Sequence, residues 1–323
     1  MKNVIVTGGA GFIGSKLCNQ LSEEGYNVFS FDTYAQYSHP PIRREQVYNI
    51  NYRFEKLLSK CQLVRCSTVN KDDLRRRVNE IEPDFIVHFA ALPLANVAIE
   101  YPEEAFTSIV EGTFNLLEIC RDQKNLKNFV YISSSMVYGD FENFPVKESA
   151  QTRPKEIYGG MKLAGEGIVR CYGQRYKVPY SIARPSAVYG PSDNNGRVLA
   201  KFIENAIKGT RLRAVNPDQT KLDFTYVDDA AMAVRNIMIN YEKSITETFN
   251  ITRGEGRTLR EALNIIAEIY PKIEIDIEEK DTFHPKRGAL DISKCRTLLG
   301  HEPKISLEQG IKVYSQFMEE SLK

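Results

Sequence analysis

The sequence predicts a doubly wound parallel α/β sheet with a smaller, interwoven C-terminal α/β domain. Three observations carry this. Short β-branched runs alternate with helical patterns through the first half of the chain. The run at 85–89 stays apolar until His88, as a strand buried on both faces requires. After Pro191 the alternation loosens, and further amphipathic helices follow. Strands separated by helices need right-handed crossovers, which place helices on both faces of the sheet.

In order, residues 4–7 form the first strand, and 13–24 a helix entered through a glycine-rich turn. A second strand at 27–31 ends at Asp32. A third, at 62–65, precedes a charged helix at 71–81, whose Arg75-Arg76-Arg77 run reads as a solvated face. Strands at 85–89 and 129–133 flank a helix from 102 to 121, and a strand at 180–184 follows the long helix that holds Tyr158. Later come a helix at 198–208, a polar stretch at 216–221, a strand at 224–227 that returns to the main sheet, and helices at 229–239, 258–270 and 307–317. The chain thereby divides into 1–190, with 223–240 returning to it, and a smaller domain of 191–222 and 241–323 over the ligand edge. The segment 34–60 is long for a β-to-α connection and predicts its own helix and loop near that edge.

Among 323 residues, 43 are basic and 42 acidic, so there is no basic footprint for nucleic acid. No apolar run reaches the length of a membrane span, and the first strand begins too early for a signal peptide. The six cysteines, Cys18, Cys61, Cys66, Cys120, Cys171 and Cys295, show no C-x-x-C spacing, which predicts a reduced, cytoplasmic compartment. His39, His88, His284 and His301 are scattered, so no metal site is predicted.

The first chemistry-bearing segment is Gly8-Gly9-Ala10-Gly11-Phe12-Ile13-Gly14, directly after a strand and opening a helix. Glycines there allow a tight turn, close approach to a pyrophosphate and close helix–strand packing. The N–H groups of Phe12 and Ile13 would point at phosphate, assisted by the helix dipole. Asp32, at the end of the next strand, would accept from both ribose hydroxyls and repel a 2′-phosphate. The cofactor predicted is therefore NAD rather than NADP, bound in a Rossmann-type domain.

The second segment is Tyr158-Gly159-Gly160-Met161-Lys162. Tyr158 and Lys162 share one helix face at i, i+4. The ammonium, with the positive nicotinamide ring of the oxidised cofactor, should lower the phenol pKa from about 10 toward neutrality, making a base for an alcohol proton while hydride leaves to the cofactor. Lys162 would also hold the nicotinamide ribose. Ser133-Ser134-Ser135 lies at the C-terminal end of a central strand, where one hydroxyl should bond the reacting oxygen. His88 reads as a strand-end residue near the cofactor rather than a base, and Tyr138 as a packing residue.

With these segments the chain resembles the extended short-chain dehydrogenase/reductase family, in its NAD-dependent nucleotide-sugar epimerase/dehydratase group, which includes UDP-glucose 4-epimerase-like proteins. The resemblance also rests on His88-Phe89-Ala90-Ala91, Gly112-Thr113-Phe114-Asn115, Ser134-Ser135-Met136-Val137-Tyr138-Gly139, Arg184-Pro185, Tyr189-Gly190-Pro191, Asp223-Phe224-Thr225-Tyr226 and Leu298-Leu299-Gly300-His301-Glu302-Pro303. It implies oxidation at C4 of a nucleotide-diphosphate sugar, with Tyr158 as base and Ser134 as the catalytic hydroxyl, Ser135 being the runner-up. It adds Ala90 to the cofactor site. For the substrate diphosphate it implies Arg287 first, then Arg197 and Arg213. An Asp-Glu pair serves dehydration in this group; Ser135 and Met136 stand there instead, so the resemblance implies a 4-epimerase. A net C4 dehydrogenase and a non-catalytic NAD-binding regulator are the alternatives. The chain departs from the group's common residues at Ser67, Pro93, Ala187 and Leu222. The resemblance further implies a homodimer, built on the helices spanning 104–121 and 156–176.

Overall fold

The computed structural model describes residues 1–35, 43–92, 95–280 and 285–322. His39, Pro93 and His284 lie outside the described residues. At the centre is a seven-stranded parallel sheet. Its strands are β1 (Asn3–Thr7), β2 (Asn27–Asp32), β3 (Gln62–Arg65), β4 (Phe85–His88), β5 (Asn128–Ile132), β6 (Tyr180–Pro185) and β7 (Thr248–Ile251). They lie in the order β7-β6-β5-β4-β1-β2-β3. The direction of winding reverses between β1 and β4, where Val4 pairs with Val28 on one side and Phe85 on the other. A crevice therefore opens above the C-terminal ends of these strands, the general ligand position in such sheets.

The helices are α1 (Phe12–Glu23), α2 (Arg44–Tyr52), α3 (Lys71–Ile81), α4 (Gly112–Cys120), α5 (Ile157–Tyr176), α6 (Val198–Lys208), α7 (Val227–Ile239), α8 (Leu259–Ile269), α9 (Ser293–Leu299) and α10 (Leu307–Leu322), with shorter turns between some of them. Strand side chains alternate between the two faces. Val4 and Val6 pack with Leu17 and Leu21 of α1 and Val234 of α7. Ile5 faces the other way, into a cluster with Val78, Leu116 and Val169 of α3, α4 and α5. Both faces are thus covered, which explains why β1 and β4 are apolar at nearly every position. The smaller part of the chain gathers α6, α8 and α10 around Ile203, Leu263, Ile266 and Ile311.

One predicted strand differs from the structure, and one strand of the sheet was not predicted. Residues 224–227 do not return to the main sheet. Thr225–Tyr226 pairs with Val188–Tyr189 in a separate ribbon, and Lys221–Asp223 pairs antiparallel with Gly256–Thr258. The cause is Asp223, fully buried, whose carboxylate accepts from the N–H groups of Gly254, Glu255 and Leu290 and ties the chain to those loops. The sheet is completed instead by β7, from the segment assigned to the smaller domain. Cys295 and Leu299 of α9 pack with Phe249 and Ile251 of β7. β7 and α9 thus sit on the sheet side of the chain. The helix from 102 to 121 is interrupted by a π-helical turn at Thr107–Glu111. The segment 34–60 does contain a helix, α2, which runs into a π-helical turn at Arg53–Leu57. No helix among the described residues is long and apolar enough to cross a membrane.

Candidate active site

A cavity of about 1050 Å³ runs from the glycine turn to the start of α5. Gly8 turns the chain at φ 68°, and a Cβ there would lie 2.8 Å from the Ala90 nitrogen. A Cβ at Gly14 would overlap the Gly8 carbonyl oxygen. Gly11 begins α1 without a side-chain cap. The first N–H groups of a helix have no intrahelical acceptor, so those of Phe12 and Ile13, which line the cavity with Gly11, are open to an anion. Asp32 stands at the rim. Its Oδ2 accepts from Ala10 N at 3.1 Å and its Oδ1 from Tyr34 N at 2.9 Å. Burial pushes its pKa above the usual carboxylate value, against the N–H groups of Tyr34 and Ala10 and the charge of Arg53. The cradle thus combines close backbone at the glycines, free donors at a helix start and a carboxylate at the rim.

Ala90 lines the same cavity, and its N–H donates to Thr7 Oγ1 at 3.3 Å. His88 lies behind it, between Thr7 Oγ1 at 2.7 Å and Thr113 Oγ1 at 3.0 Å. The Thr113 hydroxyl donates to Ile109 O, so it accepts from His88 Nε2–H, and His88 Nδ1 accepts from Thr7. Burial pushes the imidazole down to about 3. His88 is a neutral strut that positions the cofactor wall, in line with its reading as a non-base.

Tyr158 sits in the first turn of α5 and Lys162 one turn later; both line the cavity with Ser134. Ser134 Oγ accepts from Met136 N at 3.1 Å, capping a short 3-10 turn. That bond leaves its hydrogen available to donate outward. Lys162 Nζ donates to Ile132 O at 2.8 Å and lies 5.9 Å from the Tyr158 ring centroid. Burial pushes Tyr158 up to about 12, opposed by Arg197, and pushes Lys162 itself down to about 7. Desolvation outweighs the opposing charge in each case, Arg197 for Tyr158 and Glu166 for Lys162.

The four candidate substrate residues separate into two pairs. Ser134 and Arg197 line the cavity. Arg197 Nη1 pairs with Asp193 Oδ2 at 2.8 Å, and its guanidinium lies over the Phe12 ring. Ser135 and Arg287 do not line it. Arg287 donates to Ser135 O at 3.0 Å and to Ser135 Oγ, and stacks 4.5 Å from the Phe141 ring centroid. Its fork thereby holds the turn that carries Ser134. Arg213 is exposed on a strand of the smaller part.

Sequence reasoning missed Glu166. It is fully buried and takes a two-pronged pair from Arg184, Nε to Oε1 at 2.8 Å and Nη2 to Oε2 at 2.7 Å. The Ser133 hydroxyl donates to its Oε1 at 2.6 Å, and Arg170 to its Oε2 at 3.1 Å. Arg184 Nη1 also reaches Tyr138 Oη at 2.9 Å, and Tyr138 donates to Asn250 Oδ1. Burial pushes the Glu166 pKa up, but the Arg184 pair holds it below the ordinary value. This network locks the serine run from behind. The missed signal was spacing, since Glu166 is the next i+4 step on the Tyr158–Lys162 face. Arg53, also in the cavity wall, was missed because nothing in its local sequence marks it.

Residues 4–252 match the NAD dependent epimerase/dehydratase family. A putative UDP-glucose 4-epimerase of Methanocaldococcus jannaschii is 31% identical over 315 residues, covering 96% of this chain and 96% of that protein. The solved structure of UDP-glucose 4-epimerase from Thermotoga maritima with UDP-glucose is similar with a TM-score of 0.87 at 27% identity, covering 99% of this chain and 100% of that one. The UDP-glucuronic acid 4-epimerase of Bacillus cereus, in complex with UDP-glucuronic acid and NAD, gives 0.89 at 27% identity, covering 98% and 99%. The glycine cradle, Asp32 and the Tyr158–Lys162 face agree with what these similarities establish: the chain belongs to the NAD dependent epimerase/dehydratase family.

Proposed function

We propose that the protein is a nucleotide-sugar 4-epimerase that works by transient oxidation at C4. The observation that carries this is the floor of the cavity. Ser134 and Tyr158 line it together, and the neighbouring Met136 offers only a thioether. Ser135, the other position where an acid would serve dehydration, is held by Arg287. The site handles one hydroxyl proton through Tyr158 and Ser134, while Ser135 and Met136 supply no acid–base pair to expel water.

NAD, when bound, supplies the hydride acceptor and returns the hydride to the opposite face of the same carbon. Tyr158 takes the C4 hydroxyl proton and gives it back. Ser134 donates its free hydrogen to the C4 oxygen and keeps it oriented. Lys162, anchored on Ile132 O, and Arg197 place positive charge around the phenol and favour its ionised form as water is excluded. The 4-keto sugar turns over in the cavity, which needs space rather than another side chain. The UDP-sugars bound by the relatives support a nucleotide-diphosphate sugar as substrate. Six free thiols fit a reducing, cytoplasmic compartment.

The test is incubation with UDP-, GDP-, dTDP- and CDP-sugars, following absorbance at 340 nm and product mass together. The reading requires a stereoisomer of unchanged mass with no lasting NADH signal. A product lighter by two hydrogens with stoichiometric NADH would replace it with a net dehydrogenase.

A further inference from the structure

We propose that Arg53, carried by the segment between β2 and β3, is a second grip on the diphosphate of the bound dinucleotide, separate from the glycine turn. The proposal rests on NAD occupying the cradle and is independent of which sugar is turned over.

Arg53 is only 7% exposed, yet its side chain lines the cavity. Nη1 donates to Ala10 O at 2.9 Å, inside the glycine turn, and Nε donates to Asn49 O at 3.4 Å. Nη2 has no hydrogen-bond partner among the described residues. Arg53 also makes no direct ion pair there. The nearest carboxylates, Asp32 and Asp193, attract it from a distance but are satisfied elsewhere. Asp32 is held by Ala10 and Tyr34, and Asp193 by Arg197 and Asn195 N. A desolvated guanidinium with an open donor is costly unless an anion completes it. The anion site beside it is the start of α1, one residue beyond the Ala10–Gly11 bond. A diphosphate resting on the N–H groups of Phe12 and Ile13 lies next to this fork, and guanidinium pairs with phosphate in two-pronged geometry.

The carrying segment is braced for this role. Asn49 Nδ2 donates to Asp193 O at 3.3 Å and Asn194 Oδ1 at 2.8 Å. Tyr48 and Tyr52 pack edge-on against Phe317 of α10. Arg53 begins the π-helical turn, with Leu58 N donating to Arg53 O at 2.9 Å, a distortion frequent at functional sites. The segment thereby spans from the glycine turn to the smaller domain, and Arg53 is held rigidly at the cavity wall.

The test uses purified holoprotein loaded with radiolabelled NAD. Two quantities are read: the rate of NAD loss, and the ratio of potencies with which ADP and adenosine displace the label. R53Q should speed NAD loss about 10- to 100-fold. It should lower the ADP-to-adenosine potency ratio by a similar factor, because adenosine has no phosphate for Arg53 to hold. R53K, keeping the charge without the fork, should fall between, and it carries the test alone if R53Q does not fold. An unchanged ratio, with or without faster NAD loss, would overturn the proposal and leave Arg53 as a brace for Ala10.

Discussion

Tyr158 is asked to be a base in a place where burial makes ionisation hard, up to about 12. Its partner Lys162 is likewise desolvated, down to about 7. Burial thus opposes the charge on both groups. Tyr158→Phe should keep NAD bound and lower turnover by about 100- to 10,000-fold; near-normal epimerisation by this variant would remove Tyr158 from the base role. Lys162 has a second consequence. Its folded pKa lies below the free value of about 10.4, so the unfolded chain binds the extra proton between these values. Folding is penalised fully below pH 7, and the penalty fades as pH rises toward 10. Cofactor-free Lys162→Met should therefore melt higher than the parent at pH 7, with the gap closing by pH 10, while losing turnover. A gap independent of pH would show that the ammonium is not destabilising.

At the scale of elements, the serine run depends on neighbours that do no chemistry. Glu166 on α5 and Arg184 on β6 clamp Ser133, while Arg287 clamps Ser135. Ser134 is left between two fixed residues. Glu166→Gln leaves a buried guanidinium without its counter-charge, a loss of about 3–5 kcal/mol in stability. A lowered melting temperature and a fall in kcat larger than any change in KM are the expected readouts; a purely structural role would lower the melting temperature alone. The turn after β6 shows a different economy. Ala187 lines the cavity at φ 40°, in the left-handed region that alanine adopts at a cost of about 1–2 kcal/mol. Asparagine tolerates that conformation better. Ala187→Asn should raise the melting temperature by a few degrees, and an unchanged or lower value would show that its side chain does not fit the wall.

For the whole molecule, the exposed face of the helical layer is unusually apolar. Ile99, Phe106, Phe114, Ile157 and Tyr176 are 40–55% exposed on the helices between 95 and 120 and on α5. We propose that these side chains form the face of a homodimer, since a large contiguous apolar patch marks a partner surface. Sedimentation should show a dimer for the parent and a monomer for Phe106→Glu; a monomeric parent would reject the assembly.

Much of this was legible before any coordinates. The Gly8–Gly14 turn, Asp32 and the Tyr158–Lys162 step are local patterns, and backbone geometry alone converts them into a phosphate cradle and a shared helix face. The strands β1 and β4 were equally plain, because burial on both sides demands unbroken apolar residues. What tertiary structure alone decided is everything set by pairs distant in sequence. Thr248–Ile251, only four residues long and broken by Asn250, could be recognised as the seventh strand only beside β6. Arg287 meets Ser135 because their separation in space, not in sequence, places a carbonyl and a hydroxyl within reach of its fork. The burial that raises the Tyr158 pKa and lowers that of Lys162 was illegible for the same reason. Spacing sets how near two charges lie, but burial sets what each charge costs, and burial exists only once the whole chain has folded.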